Sequence, residues 1–211
     1  MPKNTSHEIE QALADVRRSY RTLYTYQRMV LDVARYVGQR LSLEYIGGWP
    51  KYSDVSPRNG GGSLDRWAWD WLNMYFYEFH FRMPLSKEKE LRVSMSIVSD
   101  TGYWESQTET VDRRDVESFA PVAQSHTKLL LMASPREAWD PNPLINDKAW
   151  MKTLFESPKA IVTPRERGNV ITRAYDLHQF ANAGLADARL REFIADCNKR
   201  DVPLRERSSE L

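Results

Sequence analysis

Residues 6–44 read SHEIEQALADVRRSYRTLYTYQRMVLDVARYVGQRLSLE, and their apolar spacing decides the fold. Ile9, Val16, Leu23, Val30 and Val37 recur at intervals of seven, and Leu13, Tyr20, Gln27, Ala34 and Leu41 follow four residues after each. That 4-3 alternation is a heptad seam. Neither Pro nor Gly interrupts the run from Thr5 to Val37. Ser6 supplies an N-cap hydroxyl, and Gly47, Gly48 and Pro50 are the first strong stop signals. One long helix is expected, within an N-terminal segment at residues 1–46. At 1.5 Å per residue it spans about 55 Å. A compact body of about 150 residues is only about 35 Å across. The mismatch points to use of the seam between molecules, through Ile9, Val16, Leu23, Val30 and Val37, with Gln27 as a polar register-setter.

Beyond this helix the sequence alternates between strand patterns and punctuation. Residues 47–66 carry two prolines, Pro50 and Pro57, and the run Asn59-Gly60-Gly61-Gly62, which read as a mobile loop. Residues 67–82, WAWDWLNMYFYEFHFR, are aromatic-rich and alternate, as a strand does. Leu91, Val93, Met95 and Ile97 alternate with Arg92, Ser94, Ser96 and Val98, and Ser86–Lys89 supplies a hairpin turn between the two strands. Tyr103 and Trp104 extend the second. Residues 127–133 and 170–174 complete about four strands. Short helical patterns cover residues 146–157 and 175–199, and the tail at 201–211 reads as frayed. The fold class is therefore α+β: a long N-terminal heptad helix, then a body at residues 67–200 with a mainly antiparallel sheet and helices packed on one face.

Bulk composition narrows the functional classes. The 211 residues are 41% hydrophobic and 28% charged, with a formal net charge of +1. No global field draws the chain to nucleic acid or membrane. Cys197 is the one cysteine, so no intrachain disulfide or cysteine-rich zinc site forms. The N-terminus lacks the apolar core of a signal peptide, and no apolar run is long enough to cross a bilayer. A cytoplasmic location is expected.

Three constellations remain. Arg17, Arg21, Arg28 and Arg35 fall within about 40° of one another on the helix, opposite the apolar stripe. Such a stripe can track phosphates, although Glu10, Asp15 and Asp32 dilute it and a solvated face reads the same way. Trp69, Tyr75 and Tyr77 offer aromatic contact area for a partner. Glu78 and His80 project from one side of a strand, in line with Arg82, and with Asp100 and Lys128 they form the nearest thing to an acid-base set. The exposed face of a half-buried sheet would carry the same residues. No metal-ligand motif, phosphate loop or dinucleotide fingerprint occurs, and no metal or cofactor is expected.

The element order α-β-β-β-α-β resembles the core of the PD-(D/E)XK nuclease superfamily. Asp100, at the end of the second expected strand, matches that family's first acid. The third strand offers His126-Thr127-Lys128, with His where the family has an acid, so the implied magnesium site is incomplete. The leading expectation is a non-enzymatic cytoplasmic protein-interaction or self-association module. The alternative is a nucleic-acid-binding protein with a degenerate nuclease core of this kind.

Overall fold

A computed structural model describes residues 6–52, 75–107, 111–140 and 142–207. The glycine run at 60–62 and the tryptophans Trp67, Trp69 and Trp71 lie outside the described residues. The chain divides into two units, Met1–Tyr36 and Val37–Leu211.

The first unit is helical. Helix α1 (Ser6–Arg40) is already helical at the first described residue and runs unbroken to Arg40. Ile9, Leu13, Val16, Tyr20 and Leu23 are 47, 51, 48, 61 and 55% exposed, so this half of the seam is uncovered. Val30 and Ala34 are buried. The helix stops at Arg40, short of the expected end, because Ser42 takes a left-handed backbone at φ 51°. Leu43 N–H then donates to Gly38 O at 2.8 Å, which satisfies a terminal carbonyl as the chain turns away.

The second unit is built on a six-stranded sheet rather than four strands. Its strands are β1 (Glu44–Pro50), β2 (Phe76–Pro84), β3 (Glu90–Val98), β4 (Lys128–Pro135), β5 (Ile161–Arg165) and β6 (Gly168–Asp176). Their spatial order is β1-β2-β3-β4-β6-β5, and every neighbouring pair is antiparallel. The two extra strands hide behind breaker residues. β1 contains Gly47, Gly48 and Pro50, and β5 contains Pro164. Both are outermost strands, where a missing N–H is tolerated.

Among the described residues five α-helices occur. Besides α1 they are α2 (Gly102–Glu105), α3 (Asn142–Ile145), α4 (Lys148–Glu156) and α5 (Ala183–Asn198). Tyr103 and Trp104, expected to extend β3, lie instead in α2. Local caps fix the longer helices: Asp147 accepts from Trp150 N–H, and Asn182 accepts from Leu185 N–H, both at 3.0 Å.

Helices cover both faces of the sheet, not one. On the first face Phe76, Val98, Leu130, Met132 and Val170 pack with Trp104 of α2 and with Met151 and Leu154 of α4. On the second, α5 lies along β6: Tyr175 donates to Arg189 O at 3.1 Å, and Arg173 pairs with Glu192 and Asp196 at 3.0 and 2.6 Å. Leu190, Phe193 and Cys197 of α5 are fully buried, as are Val37 and Leu41. The central strands are consequently buried almost throughout, including Ser94 and Ser96. The tail is tied down as far as it is described. Val202 and Leu204 are buried, and Arg40 pairs with Glu206 at 3.0 Å.

Trp104 is fully buried in a ring cluster with Tyr75, Phe76 and Phe155. Trp104→Ala should lower the unfolding free energy by about 3–5 kcal/mol, measured by urea titration. Burial, with a smaller contribution from Asp196, pushes the Cys197 thiol well above its ordinary pKa. Cys197 should therefore resist alkylation in the native protein and react readily once the chain is unfolded.

Candidate functional site

The site grows from the pairing of β1 with β2. Gly47 adopts φ 147° at a register shift in β1, a conformation that side chains disfavour. Gly48 follows, and a Cβ there would meet the carbonyl oxygen of Glu78 at 2.6 Å. Two glycines thus let β1 press close against β2 and set Trp49 opposite Glu78 in register.

Glu78 is 1% exposed and His80 is 6% exposed. They are not the wet face expected from the alternation, because α4 and the segments around it cover this side of the sheet. Glu78 Oε2 accepts from Lys51 Nζ at 3.2 Å and lies 3.3 Å from His80 Nε2. The second carboxylate oxygen, Oε1, is buried and receives no hydrogen bond from the described residues. Trp49 stacks on the imidazole of His80 with centroids 4.5 Å apart and planes inclined by 22°. Trp139 approaches the same ring edge-on, at 6.1 Å and 89°. A cavity of about 300 Å³ opens beside them, lined also by Ile46, Phe81, Arg92 and Asp140. Four apolar side chains and five polar or charged ones line it, so its walls are more polar than those of a usual small-molecule pocket.

The remaining candidates go elsewhere. Asp100 Oδ1 accepts from Gly102 N–H at 2.7 Å and shapes a turn. Lys128 pairs with Asp176 at 2.7 Å, its direct partner across β4 and β6. His126 N–H donates to Thr101 Oγ1 at 2.8 Å. Asp100 and Lys128 thus hold separate partners, and the sheet gains β1 and β5 beside the strands expected from the sequence. Among the described residues no group of three His, Cys, Asp or Glu side chains could hold a metal ion. Arg82, on the same face of β2 as Glu78 and His80, pairs with Glu44 at 2.7 Å, and both side chains are about half exposed.

The binding residues also separate. Arg17, Arg21, Arg28 and Arg35 are all exposed on α1, and Arg35 pairs with Asp32 at 2.9 Å. Tyr75 is core rather than contact surface. It is 6% exposed, its hydroxyl donates to Arg113 O at 3.1 Å, and burial drives its phenol pKa far upward. Tyr77 is half-buried and packs on Phe79, and burial raises its phenol pKa too. Trp69 lies outside the described residues. Of the seam positions, Val30 and Val37 are buried, so only the stretch from Ile9 to Leu23 is open to a partner.

Sequence reasoning missed Trp49, Lys51, Arg92, Trp139 and Asp140. Trp49 and Lys51 sat in a stretch read as loop. Only the pairing of β1 with β2, invisible to local pattern, brings them to Glu78.

The chain matches the PM0109 family over residues 6–202 and belongs to it. No curated protein and no solved structure matches it.

Truncating a buried, paired carboxylate strands its partners. Glu78→Ala should therefore cost about 3 kcal/mol of stability. Glu78→Gln, which keeps the shape and one acceptor, should cost less. Parallel urea titrations check this: both variants remove the charge, so equal losses would trace the whole cost to the ion pair, and an unchanged stability in Glu78→Gln would show that the ion pair carries no weight.

Proposed function

For this member of the PM0109 family we propose a non-enzymatic protein-interaction role, with self-association through the N-terminal half of α1. One observation carries the reading. Ile9, Leu13, Val16, Tyr20 and Leu23 keep the 4-3 spacing of a coiled-coil seam and are each about half exposed, from 47 to 61%. An apolar stripe of this length in water favours burial against another surface. A second copy offers a stripe of matching length and pattern, as a two-fold symmetric contact requires. The residues beside this stretch of seam are Glu10, Ala12, Arg17, Ser19, Tyr24 and Tyr26, with one charge of each sign, so a symmetric pair brings few like charges together. Gln27, exposed at a seam position, would fix the register.

A cytoplasmic location belongs to the same proposal. It suits a chain whose single cysteine is a buried free thiol. Among the described residues no helix is long and apolar enough to cross a membrane.

Sedimentation equilibrium of the wild-type chain at high micromolar concentration should give twice the monomer mass. Leu13→Asp with Leu23→Asp should give the monomer mass and an unchanged thermal unfolding of the sheet, since both positions are exposed. A monomeric wild type would overturn the proposal. So would a double variant that remains dimeric.

A further inference from the structure

Self-association through α1, on which this inference rests, leaves the direction and register of the two helices open. The extent of open seam bears on direction. Ile9, Leu13, Val16, Tyr20 and Leu23 are about half exposed, whereas Val30 and Ala34 are 2 and 6% exposed. The seam is thus occupied from one heptad beyond Leu23. In a parallel pair like positions face each other, so Val30 would meet the partner's Val30 about 10 Å beyond the Leu23 layer. Interlocked helices lie only about 8–10 Å apart. Whatever covers Val30 in each copy would have to share that gap. An antiparallel pair sends each covered stretch past the start of the other helix, and both stay covered.

Charge and size select the register. In an antiparallel pair the Ile9, Val16, Leu23 series packs against the partner's Leu13, Tyr20, Gln27 series. Glu10 and Arg17, each one residue after the first series, then line one flank and face the partner's copies of that flank. Both are exposed and form no ion pair among the described residues, whereas Asp15 and Asp32 already pair with Arg18 and Arg35. With Leu13 against the partner's Val16, and Ile9 against the partner's Tyr20, Glu10 falls beside the partner's Arg17, and symmetry repeats the pair. Ala12 falls beside the partner's Ser19 on the other flank, where small side chains permit close approach. Leu23 reaches the level of the partner's Ser6, the first described residue of the helix. Val30 lies about 10 Å past it.

Sliding the helices by one heptad gives the competing register. It lengthens the overlap, but it sets Gln27 against the partner's Ile9 and Arg17 against the partner's Arg17. Two amides are then desolvated and two like charges opposed. Gln27 therefore fixes the register through the alternative that it penalises.

We propose that two copies pair antiparallel through α1, with Leu13 against the partner's Val16, Ile9 against the partner's Tyr20, and two Glu10–Arg17 ion pairs between the chains.

Disulfide trapping of full-length chains reads direction and register. The proposed pair holds the two Ile9 positions about 16 Å apart along the axis, beyond disulfide reach, and sets Ile9 beside the partner's Tyr20. Ile9→Cys alone should give no cross-linked dimer on mild oxidation, and Ile9→Cys mixed with Tyr20→Cys should give one. Cys197 is buried, and the wild-type chain controls for it. A second measurement leaves the seam intact. Glu10→Lys should weaken the dimer about tenfold in sedimentation equilibrium at low salt, and Glu10→Lys with Arg17→Glu should restore it. Circular dichroism checks that each variant is folded. A cross-link in Ile9→Cys alone would overturn the direction. A cross-link of Ile9→Cys with Gln27→Cys in place of Tyr20→Cys would overturn the register, as would a charge exchange that fails to restore the dimer. Each of these results leaves self-association standing. A monomeric wild type would overturn both readings.

Discussion

Covering the sheet on both faces is the constraint on which the rest of this structure depends. A six-stranded antiparallel sheet with one wet face would leave Glu78, His80, Ser94, Ser96 and Thr172 in water. With α4 and the long connections on that side they are all sealed in. Each buried polar group must then find a partner within the protein. Ser94 and Ser96 find each other at 3.2 Å. Lys51 reaches in from beyond β1 to Glu78. The polar interior of the sheet is therefore what recruits the outermost strand into the site.

That strand works through closeness. Gly48 has no side chain where any Cβ would collide with the backbone of β2. The close approach is what brings an indole flat onto His80. A chain with bulkier residues at positions 47 and 48 could still pair here as a strand, but Trp49 would stand away from the imidazole and the corner with Trp139 would open. The chemistry of the cavity is thus tied to two residues that contribute no chemistry.

How much of this was legible in the sequence differs from element to element. The heptad spacing fixed the existence and type of α1, because an apolar period held from Ile9 to Leu41, about nine turns, has few other physical meanings. The alternation in 91–97 fixed β3. The α+β class followed from these. What failed was punctuation read as loop. Gly47, Gly48, Pro50 and Pro164 signal breaks in isolation, yet at the margin of a sheet they are compatible with strands. Residues 201–207 looked polar and free, but Val202 and Leu204 are a two-residue apolar signal too short to register. At the site, Glu78 and His80 were found as a pair from their spacing alone. Their burial was not, because alternation reports which residues share a face and says nothing of what covers it. Trp49, Lys51, Arg92 and Trp139 come from three separate segments, and only tertiary pairing gathers them.

The prolines at the two margins of the sheet bear on how this protein avoids its own aggregation. Pro50 ends β1 and Pro164 sits within β5, and these are the outermost strands. An uncapped margin is a template on which another copy can add a strand and propagate a fibril. A residue without an N–H breaks that template's ladder of donors on either side. Indefinite growth through the sheet is thereby disfavoured, and the proposed pairing of the helical seam, once closed, would leave no valence for a third copy.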